Sequence, residues 1–298
     1  MDNTTSYYNL SNQKPPLGGG LAGIAYRNLR SEEISILKSN ACWAEDWDDI
    51  EVAEEGFLPQ FVQRTNFYGK IRIGALDGTI EVTKDFPRHA GIKNATLRNV
   101  TIGNNCIIDM VGNYINDYTI GDNCYIVNVS TIETTEGASY GDGNQISVLS
   151  EAGDGNIIAF HGLNSQLAAF MVRHYEDTDV RNALRRLVNE EVVRSQPDRG
   201  TIGNNVKIVN TTEIVNSVIE DGCEISGATR LSDCTIKSNN NSSVFIGSNV
   251  IIENSIIADG SSITDGVRMQ DSFVGEACQI TSGFTASQSV FFANTVMA

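Results

Sequence analysis

From Ile202 onward, aliphatic residues recur in steps of six, six and five. Ile202, Ile208 and Ile214 lead to Ile219; Ile225 and Leu231 lead to Ile236; Ile257, Ile263 and Met269 lead to Val274. Ile202 to Ile219, Ile219 to Ile236, Ile257 to Val274 and Val274 to Phe291 each span 17 residues. Ile236 to Ile257 spans 21, the same period with a four-residue loop in Ser238–Ser242. Within a step the phrase is that of Ile202-Gly203-Asn204-Asn205-Val206-Lys207-Ile208. The residues four and six places after the leading aliphatic one lie two apart, so on an extended strand they share a side. Both are small or apolar, so that side faces inward. The residue three places on is Asn205, Gly222, Asn249 or Gly260. Asn and Gly tolerate positive φ, which puts a corner there. Three short walls in about 17 residues predict a triangular parallel β-helix, with like residues stacked about 4.8 Å apart.

The N-terminal half carries the same signal less regularly. Ile102, Ile108, Tyr114 and Ile120 step by six, an 18-residue turn that Ile126 and Ile132 continue. Tyr140–Ile146 and Ala152–Ile158 read as weaker copies that keep the corner glycine. Tyr68–Ile73 and Thr79–Val82 read as the first, irregular turns, and Pro87–Gly91 as a loop. Ser31–Ala41 reads as a short helix with Ser31 as its cap and Ile34, Ile36 and Leu37 on its apolar side. Between 164 and 199 the spacing turns helical. Leu167, Phe170 and Met171 mark one helix and Val180, Leu184, Leu187, Val188 and Val192 a second, with Asn164 and Asp177 as caps. The expected organisation is a mobile tail over 1–25, a cap with a short helix over 26–66, a first β-helix segment over 67–163, a helical hairpin insertion over 164–199 and a second β-helix segment over 200–298. The last turn, at Phe291-Phe292-Ala293, has no charged or helical cap. Repeat stacks need one to stay soluble, so a longer chain or a second copy is expected to cover that end.

These repeats resemble the hexapeptide-repeat superfamily of left-handed β-helices. The left hand is implied by that resemblance, against the usual right-handed crossover. Asn216-Ser217-Val218-Ile219, echoed at Asn254–Ile257 and Asp271–Val274, is similar to the C-terminal β-helices of sugar-phosphate nucleotidyltransferases. The chain as a whole resembles a bacterial family of longer hexapeptide-repeat proteins with no established activity. The resemblance implies a transferase of sugar or nucleotide-sugar metabolism, acyl- or nucleotidyl-type, with acyl-CoA or a sugar nucleotide as candidate co-substrate. The glycines of Gly18–Gly23 lack a preceding strand and a following Lys-Ser/Thr, so they make no phosphate loop. With few histidines and an uncapped end besides, this stretch taken alone is expected to lack a complete active site. That favours the alternative, a non-catalytic structural or oligomerisation module, and the transferase expectation belongs to a full-length protein.

Charge and chemistry narrow this further. A net charge of −16 argues against nucleic acid and against an anionic membrane surface. No apolar run has the length of a membrane span, and Met1–Gly20 is not a secretory signal. Four of the six cysteines, Cys106, Cys124, Cys223 and Cys278, occupy the small inward position, which reads as core and not as a disulfide or metal set. A cytoplasmic location is the economical reading. Hexapeptide acyltransferases use a histidine as general base. Of His89, His161 and His174, His161 is best placed, at the edge of the helical insertion with Asn164 and Gln166 nearby for substrate contacts; His89 is a weaker second candidate. The bland reading of His161 is a bonded side chain fastening the insertion. Trp43 and Trp47 either line a sugar site or cover the N-terminal end, the second being commoner, and Glu133 and Glu136 read as exposed corner residues.

Overall fold

The computed structural model describes residues 21, 23–148, 157–195 and 197–298. Most of the tail expected over 1–25 and of the repeat copy expected over 152–158 lies outside these residues. Among the described residues the chain is mostly β, with three α-helices and a 22-stranded sheet whose pairings are parallel except at Tyr26–Asn28, which runs antiparallel to Ile50–Ala53.

The sequence period is the pairing register. Ile202 pairs Ile219, Ile219 pairs Ile236, Ile236 pairs Ile257, Ile257 pairs Val274 and Val274 pairs Phe291. A second ladder carries Ile208, Ile225, Ile246, Ile263, Ile280 and Met297. A third carries Ile214, Leu231, Ile252, Met269 and Ala286. Each circuit of the chain is one tier of three strands laid on the tier before. The stacked aliphatic residues form one continuous buried core, in which nearly every member is under a tenth exposed. Cys106, Cys124, Cys223 and Cys278 lie in that core as free thiols, and burial pushes the thiols of Cys106, Cys223 and Cys278 up, and that of Cys234 to about 12. The expected corner residues Asn105, Asn123, Asn205 and Asn249 all have φ between 55° and 59°, and Gly222 and Gly260 are at 70° and 71°. Side chains lock consecutive corners together. Asp122 Oδ1 accepts from Asn104 N at 2.6 Å, Asn204 Oδ1 from Asp122 N at 2.8 Å, and Asp221 Oδ1 from Asn204 N at 2.7 Å.

The N-terminal tiers depart from the sequence reading in four places. Ile115, and not Tyr114, is the inward residue: Ile115 pairs Leu97 and Ile132 and is fully buried, while Tyr114 is outside. A register shift between Val129 and Thr131 absorbs the extra residue. Thr79–Thr83 is not a tier strand. It pairs antiparallel with Phe86–His89 as a separate hairpin, because period-two alternation is common to a tier wall and a hairpin. Likewise Gln145–Ile146 pairs antiparallel with Ile157–Ile158 and not with the tiers. The first helix, α1 (Ser31–Ser39), is capped at Arg30, whose N–H donates to Glu33 Oε2 at 2.8 Å. Two hydrogen bonds from Arg27 fix Glu33 and hold its carboxyl below the usual range. Leu37 of α1 is buried in the core and Trp47 packs partly buried against it, while Trp43 is half exposed.

The decisive departure is the stacking partner of the tier at Ile120–Ile132. Ile120 pairs Ile202, Ile126 pairs Ile208 and Ile132 pairs Ile214. The chain therefore leaves the tiers after Glu133 and re-enters at Gly200, and the strands and helices described between them lie outside the stack. The insertion contains the short antiparallel ribbon and the helices α2 (Ser165–Arg173) and α3 (Thr178–Ser195), close to the expected helical spans. Asn164 Oδ1 accepts from Leu167 N, and Asp177 Oδ1 from Asp179 N and Val180 N, as expected of caps.

Candidate functional site

The insertion is docked along one corner of the stack by a repeated device. Asn216, Asp233, Asn254, Asp271 and Gln288 all have positive φ and stand one above another, a tier apart. As the insertion climbs, these residues receive it in turn. Thr135 N donates to Asn216 Oδ1 at 2.7 Å, and Ser139 N to Asp233 Oδ1 at 3.3 Å. Asn144 Nδ2 donates to Asn254 O and Asp271 Oδ1, both at 3.0 Å, and Ser147 N to Gln288 Oε1 at 2.8 Å. Two residues past each corner, the outward column runs Val218, Thr235, Ile256, Phe273, Val290. Ile256 and Phe273 are fully buried in a second apolar cluster with Ile146, Ile157, Phe160, Leu163, Met171 and Val188 of the insertion. The Asn-Ser-Val-Ile phrase is thus a docking phrase. It gives a bonded corner, a buried Ser, an outward residue beneath the insertion and an inward core residue.

At the seam so formed, three titratable side chains from distant parts of the chain gather. Glu220 opens the corner after Ile219. His161 Nε2 lies 3.4 Å from Glu220 Oε1, with both side chains partly open to solvent. Glu220 Oε2 accepts from Ser238 N at 3.2 Å, which leaves Oε1 turned to the imidazole. Burial raises the Glu220 carboxyl, and the adjacent His161 opposes that rise. Asp142, from the start of the insertion, is nine-tenths buried, and its Oδ1 has no hydrogen-bond partner. Burial pushes Asp142 up to about 6, with the N–H and the charge of His161 acting the other way. Gly141 and Gly143 flank it at φ 83° and 79°. A Cβ on Gly141 would stand 3.0 Å from both Asp233 O and Ser255 O, so only glycine lets this turn press against the corner.

The structure brings His161 to a carboxylate. The Asn164 carboxamide oxygen is used in capping α2, and Gln166 is exposed in the first turn of that helix. His89 is on the Thr79–His89 hairpin, where its Nδ1 donates to Ala90 O at 2.8 Å and its ring stacks 3.6 Å from Phe61. His174 ends α2 against Phe170. Among the described residues no group of three His, Cys, Asp or Glu side chains is placed to hold a metal. Sequence reasoning missed Asp142, which looked like a corner in a repeat copy, and Glu220, which looked like the ordinary acidic second residue of the phrase. The one signal for Asp142 was its pair of flanking glycines in Tyr140-Gly141-Asp142-Gly143.

Residues 26–298 match the sequence model of a family described as a domain of unknown function, DUF4954. The chain belongs to the DUF4954 family. No curated protein matches it. The DUF4954 match takes in the tiers and the insertion together, so the His161 seam lies inside the family's domain. Among the described residues, no DUF4954 helix is long and apolar enough to cross a membrane.

Proposed function

We propose that this DUF4954 domain is a left-handed, three-sided β-helix of the hexapeptide-repeat kind. We further propose that it serves as a transferase of sugar or nucleotide-sugar metabolism with His161 as its general base. The three ladders at a 17-residue register support the first part. One observation carries the second: the 3.4 Å approach of His161 Nε2 to Glu220 at a solvent-open seam between insertion and stack. An ionised Glu220 favours the tautomer with its proton on Nε2, which leaves Nδ1 to take the proton of an acceptor hydroxyl. Glu220 then stabilises the imidazolium that forms. The donor, acyl-CoA or a sugar nucleotide, supplies the activated group. The chain's own part is to orient the acceptor and hold its proton.

The test is transfer from acetyl-CoA or a sugar nucleotide to sugar acceptors, followed as a pH–rate profile. His161→Ala lowers kcat by roughly 10²–10⁴-fold. Glu220→Gln keeps a smaller fraction of the loss and moves the acidic limb of the profile. Unchanged turnover in His161→Ala removes this histidine from the chemistry. A non-catalytic assembly module is the second reading, favoured by the use of Asn164 as a helix cap and not as a substrate contact.

A further inference from the structure

The antiparallel hairpin Thr79–His89 overhangs the stack and encloses a groove of about 420 Å³ against it. That is the size range of small-molecule sites. Thr79 to Val82 form one wall. The other wall is built from three successive tiers, through Asn123 and Tyr125, Asn205 and Lys207, and Gly222 and Glu224. The corner Glu220–Glu224 gives its first residue to His161 and its later residues to this groove.

The chemistry of the walls selects the ligand. The backbone N–H groups of the three corners are already spent: Asn123 N donates to Asn104 O, Asn205 N to Asp122 O and Gly222 N to Asn204 O, each at 2.8 Å. Tyr125, Lys207 and Glu224 likewise donate to the tier above. No nest of amides is left to cradle a phosphate. The lysine of the groove is neutralised, with Lys207 Nζ 2.9 Å from Glu224 Oε1, and Glu81 adds a further carboxylate. The wall is thus net negative inside a chain of net charge −16, which repels phosphorylated ligands. What remains is the side-chain carboxamide of Asn123, that of Asn205 (whose Nδ2 also donates to Asn240 Oδ1 at 3.3 Å), the paired Lys207 and Glu224, and the ring of Tyr125. Arg88 of the hairpin steadies that ring by donating to the phenol oxygen at 3.2 Å. The strand Thr79–Thr83 is paired only with Phe86–His89 among the described residues, so its second edge adds alternating donors and acceptors. Carboxamides and an ion pair give and take hydrogen bonds from vicinal hydroxyls, and an aromatic ring packs on the apolar face of a pyranose.

We infer that this groove binds a neutral sugar, one or two residues long, and excludes nucleotides and acyl-CoA. The inference goes beyond the role given to His161 and does not need it, since none of the residues named is His161 or Glu220. The experiment is saturation-transfer NMR on the full chain with uncharged mono- and disaccharides, and in parallel with a sugar nucleotide and acetyl-CoA. Transfer to at least one neutral sugar is expected, with affinity lost roughly tenfold in Tyr125→Ala and in the charge-conserving swap Lys207→Glu/Glu224→Lys. His161→Ala keeps the binding, which separates this proposal from the catalytic one. Because Tyr125 sits on an outer wall, an unchanged far-ultraviolet circular dichroism spectrum confirms that the variants are folded; Tyr125→Phe, which keeps the ring, serves as the conservative control. Saturation transfer to none of the neutral sugars overturns the inference. So does equal loading by the phosphorylated ligands, or binding that survives both substitutions.

Discussion

A single buried carboxyl shows how far the seam departs from ordinary surface chemistry. Asp142 sits at about 6 in the folded chain, against about 3.9 for an unperturbed aspartate. The folded state therefore holds the proton more tightly than the unfolded state does. Its contribution favours folding below about pH 4, is lost as the pH climbs to about 6, and leaves the full cost of a buried anion above that. Asp142→Asn keeps the shape and removes the ionisation. The variant should be more stable than the parent at about pH 8, by at most about 3 kcal/mol, and equal to it near pH 4. Urea unfolding at the two pH values measures this. Equal stability of parent and variant at both would show that Asp142 is not strained in the folded chain. Apart from its two flanking glycines the local sequence gives no sign of this residue, because His161 and the corner that Gly141 presses against are far away along the chain. The corner residues are the opposite case. Asn205 and Gly222 declared their backbone geometry directly, since positive φ is a demand on the residue itself.

At the level of elements, the tier walls and the two insertion helices were legible because each has its own hydrophobic period. The hairpin Thr79–His89 and the pairing of Gln145–Ile146 with Ile157–Ile158 were not, since alternation says that a strand exists and not which strand it joins. The same limit hid the jump from Ile120 to Ile202, because the intervening aliphatic residues fit a tier as well as they fit the second cluster. The outward column holds the clue. Its members pass from Thr119 and Thr201, through Val218 and Thr235, to Ile256 and Phe273, and an apolar outward residue on a tier wall needs a cover. Phe273→Ala should therefore loosen the insertion without dissolving the tiers. Deleting a buried Phe side chain costs about 3–5 kcal/mol, and here that cost falls on the second cluster, outside the main core. Limited proteolysis should cut faster within 157–195, while the sheet signal in circular dichroism stays. Simultaneous loss of the sheet would mean that stack and insertion fold as one unit.

Over the whole molecule, much of the stability is a sum of tiers and of the interfaces between neighbours, because each tier's backbone pairs with the tier before and the tier after. The interfaces are unequal. The tiers led by Ile219, Ile236 and Ile257 have a neighbour on both sides and are clasped from outside by Thr135, Ser139 and Asn144. The hydrogen bonds of the clasp run across tiers, so opening any one of these tiers breaks bonds to the insertion as well as to the sheet. Phe292 and Val296 are exposed, and the insertion's last described hydrogen bond along the stack is from Ala293 N to Ser165 Oγ, at 3.1 Å. Hydrogen exchange should follow this order. Amides of Glu213–Ile219, Arg230–Ile236 and Ile251–Ile257 should be the slowest among the tiers, and those of Val296–Met297 should exchange faster by orders of magnitude. Phe273→Ala should then raise exchange most in the strands it pairs, Ile251–Ile257 and Val290–Phe291, and leave Gly200–Ile202 and Lys207–Val209 where they were. Uniform exchange along the stack, unmoved by that substitution, would mean that the insertion rides on the tiers without holding them.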